Sequence, residues 1–402
     1  MKITEVRLTP IAFADPPLLN SKGVHQPYAL RAVVELLTDE GLVGLGETYG
    51  DDTELSRLRE VAPHVVGLDP FDLNGLAAAV RTVHPGLGAR AAAIVVAGFE
   101  VACVDLQGKA LGVPACTVLG GRVRDTVPYA GYLFYKWAGD DDPWPEALDP
   151  GGIVAQARRM VDRWGFGSLK LKGGVFPPEE EIEAILALRE AFPDHPLRLD
   201  PNTAWTVETS VRVGERLAGV LEYLEDPCAG IAGMAEVARR QPLPLATNMC
   251  VVSFPDVAPA VRQDAIQVVL ADHHYWGGLR ASGLLAGIAG TVGWGVSMHS
   301  NSHLGISLAA MTHLAAATPN LTFAGDTHTP WQDPADDIVD PALRIVDGAV
   351  PVPTAPGLGV TLNHDTLARL HEQYLNCGIR TRDDVAAMRA HDPAWTGRRP
   401  RF

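Results

Sequence analysis

SLKLKGG (168–174), LRLDPN (197–202), EYLEDPC (222–228), PLATNMC (244–250), VVLADHH (268–274) and GVSMHSN (295–301) are six short apolar runs that each end in a chemically loaded residue. Those residues are Lys170 with Lys172, Asp200, Glu225, Asn248, Asp272 and His299. From Lys172 onward they recur about every 25 residues, the length of one strand, one helix and two short loops. Repeated βα units of that length build a right-handed parallel barrel. Active sites of such barrels lie at the C-terminal strand ends, so six polar termini are expected to share one pocket.

Helical periodicity fills the gaps, at 152–164, 178–191, 206–218, 230–240, 255–262, 277–290 and 303–316. Upstream the pattern differs. Residues 1–11 and 31–38 alternate like strands, DEGLVGLGE supplies a turn and a further short strand, and helical patterns follow at 53–62, 71–82 and 90–111. The reading is an α/β protein with an α+β N-terminal capping domain (1–126), a (β/α) barrel (127–345), and a C-terminal segment (346–402) that packs back on the cap.

Composition narrows the function. A formal charge of −15 over 402 residues disfavours a nucleic-acid partner, which selects a basic face. The stretch from Ala281 to Gly325 lacks Asp, Glu, Lys and Arg, but glycines, polar residues and three histidines interrupt it, and buried helix, strand and helix explain it better than a membrane span. Five scattered cysteines without CxxC or zinc spacing fit a reduced, cytoplasmic protein. A small-molecule substrate, no nucleic acid, no membrane and a homo-oligomer are the expected associations.

Asp200, Glu225 and Asn248 end three consecutive strands and offer three hard oxygen ligands, the donor type Mg²⁺ prefers. Any one alone reads equally as a helix cap. Lys170 and Lys172 are two apart on one strand and share a face, an arrangement that is costly on a central strand unless that face is polar. Mutual repulsion and a nearby cation are expected to depress the lysine pKa values and leave one able to act as a base near neutrality. Asp272 and His299 end neighbouring strands, so the carboxylate is placed to orient the imidazole.

These residues resemble the enolase superfamily (mandelate racemase/muconate lactonizing enzyme-like) and, within it, the glucarate dehydratase subgroup. The resemblance runs from LLNSKGVHQPY (18–28) through GYLFYK, KLKGG, LDPNTAW, YLEDPC, TNMC, LADHHYW, MHSNSHLGIS, GDTHTPWQ and APGLGV to RDD (382–384). It implies a modified TIM barrel and a lyase that removes a proton alpha to a carboxylate and expels the beta-hydroxyl. A lysine or histidine base working with Mg²⁺ is a superfamily property, inherited here and not read from spacing. The resemblance implies Asp200, Glu225 and Asn248 as Mg²⁺ ligands, Lys172 and His299 with Asp272 as bases or acids, and Lys170 as the electrophile. It further implies Asn20, His25, Tyr132, Phe134, Asn202, His328 and Arg382 as contacts to an acid-sugar substrate.

The chain departs from the subgroup at Arg90-Ala91-Ala92-Ala93, where a threonine pair is expected, and at His273, where a proline is expected. Loss of a hydrogen-bonding hydroxyl alters discrimination strongly, so D-glucarate leads the substrate list without closing it. A racemase or epimerase of a hydroxy acid, and an acid-sugar-binding homologue without turnover, are the alternative readings.

Overall fold

A computed structural model describes residues 1–139 and 142–402. Eight strands lie side by side in the barrel sheet: Thr126–Phe134, Leu169–Lys172, Leu197–Asp200, Tyr223–Glu225, Leu245–Thr247, Val268–Ala271, Gly295–Met298 and Gly325–Asp326. All pairings along this path are parallel, and the eighth strand returns to pair with the first. The seventh and eighth close through a bridge from Val296 to Leu321 and a Ser297 Oγ to Ala324 O hydrogen bond of 2.9 Å.

Alternation along each strand sorts the side chains. Leu169, Leu171, Leu197, Leu199, Leu224, Leu245, Val269 and Val296 face the surrounding helices in the main core, while Tyr223, Ala246, Val268 and Leu270 form a separate cluster with Phe323 inside the barrel. Arg198 stacks over Tyr223 in this interior, 4.8 Å from the ring centre, and its Nε donates to Glu222 at 2.7 Å. The interior residues one step beyond this plug are the polar strand ends.

The helices begin and end on local signals. Asp149 accepts from Gly152 N at 2.7 Å and Pro150 occupies the first turn of Pro150–Trp164, which stops at left-handed Gly165. Pro178–Ala191 carries three glutamates in its first turn and buries Ile182, Ile185 and Leu188. The pattern over 303–316 predicts a helix two residues too early: the helix is Gly305–Ala316, and His303 stays in the loop.

The cap is a three-stranded antiparallel sheet with Tyr28–Thr38 between Ile3–Ala14 and Val43–Tyr49. Helices Asp52–Val65, Leu73–Val83 and Ala89–Leu111 complete it. Gly44 and Gly46 let the last helix lie directly on the strand backbone, since a Cβ at either would strike the carbonyl of Ala102 or Gly98. The C-terminal segment divides its contacts. Helix His364–Asn376 packs on Ile3–Ala14, Asp384–Arg389 packs on Gly23–Val24, and Ala349–Pro351 pairs antiparallel with the first barrel strand. Among the described residues no helix is long and apolar enough to cross a membrane, and the five cysteines are unpaired.

Two carboxylates of the cap satisfy the N-termini of two barrel helices that have no side-chain cap of their own. Glu47 accepts from Leu304 N and Ser307 N, each at 2.9 Å, at the start of Gly305–Ala316. Glu100 accepts from Leu279 N at 2.8 Å and Arg280 N at 2.9 Å at the start of Leu279–Val292. Gly278 makes the second contact possible: its φ is +106°, and a Cβ there would collide with the Glu100 carboxylate.

Burial pushes the Glu100 carboxyl up to about 7, although the Arg280 and Leu279 amides pull it down. Its folded pKa thus lies above the unfolded one, so the native state binds more protons between these values and loses stability as pH rises through them. The stability advantage of the wild type over Glu100→Gln should therefore shrink from pH 5 to pH 8, measured by urea unfolding. A gap that stays constant over this range would show that Glu100 does not change protonation there.

Candidate active site

Register decides which side chains meet. Lys170 pairs with Tyr132, and Lys172 with Phe134 on one side and Asp200 on the other, so these interior residues form adjacent layers. The Lys170 ammonium is fully buried. It lies 2.7 Å from Glu225 Oε2, 2.7 Å from Asp326 Oδ2 and 3.9 Å from Asp200 Oδ2, with the Tyr132 ring centre 4.7 Å away. Lys172 Nζ donates to Asp200 Oδ2 at 2.6 Å and keeps 11% side-chain exposure, so it is the more accessible of the pair.

The expectation of depressed lysine pKa values fails for Lys170. Burial lowers its pKa, but Asp326 and Glu225, followed by Tyr132 and Asp200, outweigh burial and hold it well above its ordinary value. Repulsion from Lys172 is a small effect beside two carboxylates in direct contact with the ammonium. Lys170 is a fixed ammonium.

Asp326 is absent from the residues selected by strand spacing, although one further step of that spacing past His299 lands on it. Its strand is only two residues long, so no apolar run announces it. Asp226 is a second omission. It sits at φ +38°, accepts from Thr247 Oγ1, and takes the Asn248 N–H at 2.8 Å, tying the fourth strand end to the fifth. Burial and then Asp200 push its carboxyl up to about 7.

The donors fit a divalent cation. Glu225 is fully buried; its Oε2 is ion-paired with Lys170 at 2.7 Å, while its Oε1 has no partner among the described residues, a costly state for a buried acceptor. Three buried carboxylates, Asp200, Glu225 and Asp326, converge on two lysine ammoniums. Ionised together they leave an excess of negative charge, which favours a bound dication. The Asn248 side chain, half-buried, makes no hydrogen bond among the described residues and adds a third hard donor beside Asp200 and Glu225.

Toward the other side of the barrel stands the histidine pair. His299 Nδ1 lies 2.9 Å from Asp272 Oδ2, leaving Nε2 as the outward nitrogen. Burial alone raises the Asp272 carboxyl, but His274 and His299 overcome it and hold the carboxylate well below its usual range. Tyr275 stacks on His299 at 5.7 Å, and Arg90 lies 4.1 Å from the Tyr275 ring centre. Ala93 of the departing segment packs against Gly277, immediately after this turn.

The remaining expected contacts gather around the same centre, several with their polar atoms already engaged. His328 is edge-on to Tyr132 at 5.2 Å and tilted against Phe134 at 5.5 Å, with Nδ1 3.1 Å from Ser300 Oγ. Tyr132 O–H points at Asp200 Oδ2, 3.4 Å away. Asn202, at φ +54°, donates its N–H to Asp200 Oδ1, and its carbonyl accepts from Ser21 Oγ of the cap loop at 3.2 Å. Asn20 donates to Asp384 at 2.8 Å, and His25 Nδ1 lies 3.1 Å from Asp15 Oδ2. The side-on fork of Arg382 is occupied, because its Nε and Nη2 already grip Asp384 at 2.9 and 2.8 Å. A cavity of about 40 Å³ between Arg382, Asp15, Asn301 and Ser302 has room for a water but not for a sugar.

Comparison with known proteins agrees with this architecture. Residues 3–120 match the mandelate racemase/muconate lactonizing enzyme N-terminal domain family, and residues 152–366 match the enolase C-terminal domain-like family. A probable glucarate dehydratase of Streptomyces coelicolor is 53% identical over 98% of this chain and 97% of its own. An enolase from Thermobispora bispora, solved with magnesium and formate, superimposes with a TM-score of 0.98 at 59% identity, covering all of both chains. One from Pseudomonas fluorescens, solved with magnesium, potassium and tartrate, gives 0.96 at 51% identity over 100% of this chain and 99% of its own. The barrel, its antiparallel cap and these matches together make the chain a member of the enolase superfamily, in its mandelate racemase/muconate lactonizing enzyme branch.

Proposed function

We propose that the protein is a Mg²⁺-dependent acid-sugar dehydratase of the cytoplasm, working as a homo-oligomer. The observation that carries the reading is the pairing of an over-acidic cluster, from the third, fourth and eighth strands around the lysines of the second, with a histidine–aspartate dyad on the sixth and seventh. The dehydratase name of the Streptomyces coelicolor relative supports the reaction class. The magnesium in the Thermobispora bispora and Pseudomonas fluorescens structures supports the metal.

Asp200, Glu225 and Asn248 would hold Mg²⁺, which when bound supplies positive charge to the substrate carboxylate. The fixed Lys170 ammonium lies beside that carboxylate and stabilises the negative charge that grows on its oxygens as the α-proton leaves. Lys172 or His299 takes that proton, according to which face of the carbon presents it. For the opposite geometry of departure, His299 Nε2 as imidazolium gives its proton to the leaving β-hydroxyl, a contribution of about 10²–10⁴-fold. The enol then tautomerises to a 2-keto-3-deoxy acid. Tyr132, Phe134 and His328 exclude water, which strengthens each of these electrostatic contacts. Asn20, His25, Asn202 and Arg382 surround the sugar end of the pocket.

An acid-sugar library screened with Mg²⁺ tests the reading. Product that has lost one oxygen from the chain supports dehydration, product with all its oxygens supports epimerisation, and binding without turnover across the library supports a non-catalytic homologue. Glu225→Gln and Asp200→Asn should abolish turnover and weaken Mg²⁺ binding by calorimetry while far-UV circular dichroism is unchanged. Full activity after exhaustive EDTA treatment would refute the metal assignment.

In D₂O, one of Lys172→Ala and His299→Asn should block exchange of the α-hydrogen, and the other should slow hydroxyl loss more than exchange. Wild-type exchange in both variants would remove both residues as bases. Ala91 and Ala92 lack the hydroxyls expected of a glucarate site, worth about 1–3 kcal/mol of discrimination. D-glucarate should therefore be a weaker substrate than another acid sugar of the screen, and kcat/KM of about 10⁴ M⁻¹s⁻¹ or more on D-glucarate would show that the alanines do not matter.

A further inference from the structure

His274 lies beside the dyad on the short helix His273–Trp276, buried and with both ring nitrogens in use. Nδ1 is 2.9 Å from Asp272 Oδ1, while His299 Nδ1 is 2.9 Å from Asp272 Oδ2. One carboxylate thus serves two imidazoles, each on its own oxygen. Nε2 of His274 is 2.7 Å from Arg31 Nη2 and 3.1 Å from Ser307 Oγ. A guanidinium only donates, so Nε2 accepts from Arg31 and Nδ1 carries the proton given to Asp272. The Glu47 carbonyl, 3.1 Å from Nε2, would favour the other tautomer, but that tautomer sets two N–H groups against each other across the shorter contact.

Arg31 is itself fixed. Its Nε donates to Glu47 Oε1 at 3.0 Å and its Nη2 approaches Ser307 Oγ at 3.2 Å. Glu47 is the same carboxylate that caps the helix following the His299 strand. A continuous buried chain therefore runs Glu47, Arg31, His274, Asp272, His299, from the cap sheet to the proposed acid/base group. Ligand atoms of Asp272, His273 and His274 lie close enough together to suggest a cation site, but His274 has no free nitrogen, so this cluster is a hydrogen-bond relay.

We propose that His274 and Arg31 are positioning residues through which the cap sets the basicity of His299. The inference rests on the reading of His299 and Asp272 as an acid/base pair. A carboxylate that already accepts from His274 is a poorer partner for the His299 N–H, because its negative charge is shared between two donors. Arg31, donating to the far nitrogen, makes His274 a stronger donor toward Asp272.

The other groups around the pair come from four directions. The cap contributes Glu47, Tyr49 and Arg90; the turn after the sixth strand, His273 and Tyr275; the loop after the seventh, Asn301 and His303; the loop after the eighth, His328. Burial lowers His303 to about 4 and holds His273 and His328 well below the usual imidazole range. None of the three therefore adds positive charge beside His299 at neutral pH.

The test reads the His299 imidazole directly, in substrate-free full-length protein labelled with ¹³C and ¹⁵N in histidine. Its signal is assigned by its absence in His299→Asn and followed from pH 5 to pH 9. His274→Leu removes both contacts of the relay. His274→Asn keeps a donor where Nδ1 stands, and His274→Gln keeps only a group near Nε2. The His299 midpoint should rise by about half a unit or more in His274→Leu, and His274→Asn should restore most of the difference.

An unchanged midpoint in folded His274→Leu overturns the proposal. If that variant does not fold, His299 must titrate higher in His274→Gln than in His274→Asn, and equal midpoints overturn it equally. No substrate enters the measurement. A protein inactive on every acid sugar would sink the proposed reaction and leave this relay standing, whereas an unmoved midpoint would sink the relay alone.

Discussion

A lysine ammonium with no exposure at the centre of a barrel survives only if its surroundings supply negative charge, and Lys170 draws on Glu225 and Asp326 at 2.7 Å with Asp200 beyond them. Removing one partner of such a buried pair typically costs about 3–5 kcal/mol, so the carboxylates are pinned as firmly as the lysine. That requirement propagates outward. Holding Asp200 and Glu225 against the lysine forces the chain to turn sharply just beyond each strand, and Asn202, Thr203 and Asp226 all adopt left-handed backbone there. Backbone strain of this kind costs roughly 1–3 kcal/mol per residue and persists where neighbouring contacts over-determine it. The hydrogen bonds of Asp200 to Asn202 N and of Asp226 to Asn248 N are such contacts.

The cap is attached to the barrel by the same kind of interaction in reverse. Glu47 brings negative charge, and Glu100 buried acceptor oxygens, to the positive ends of two barrel helices, those that follow the strands ending in His299 and in Asp272 respectively. A buried carboxylate facing free amides is stabilised by hydrogen bonds and by the helix dipole, and it is unfavourable once the helix moves away. Cap and barrel therefore have one strongly preferred relative position near the dyad. On the other side of the site the attachment is uncharged: the Leu19 N–H donates to the Tyr135 carbonyl at 2.7 Å and the Ser21 hydroxyl to the Asn202 carbonyl at 3.2 Å.

Much of this was legible in the residues themselves, for physical reasons that also mark where reading stops. Period-two alternation places Lys170 and Lys172, Asp200, Glu225, Asp272 and His299 on one face of their strands, and a closed barrel leaves that face nowhere to point but inward. Asp326 escapes the pattern because its strand is two residues long, held by pairing with Tyr129 and Ala130 and not by its own apolar run. Its omission is what misleads the electrostatics: without it Lys170 looks like a lysine repelled by its neighbour, and with it the lysine is a fixed cation. Asp226 looks like a residue on the outward face until the left-handed turn swings it back to the next strand. The approach of Arg31 to His274 spans 243 residues and exists only after the cap has docked, so no local pattern encodes it.

The origin of each group separates chemistry from specificity. Every side chain proposed to move a proton or hold a cation stands at the end of a barrel strand, where hydrogen-bonded neighbours on both sides define its position. Most of the polar groups expected at the far end of a sugar come from the cap loop at Asn20 and His25 or from the C-terminal Arg382, and these are held by Asp384 and Asp15. Asp384 alone receives Asn20 and both arms of the Arg382 fork, so these two contacts form one unit that shifts together. A ligand carboxylate that reaches Arg382 from the Nε side would compete with Asp384, which already holds the Nε and Nη2 donors. A carboxylate arriving at Arg382 would thus meet an internal competitor, a geometry that penalises weak or misplaced acceptors and stands apart from the residues at the barrel strand ends.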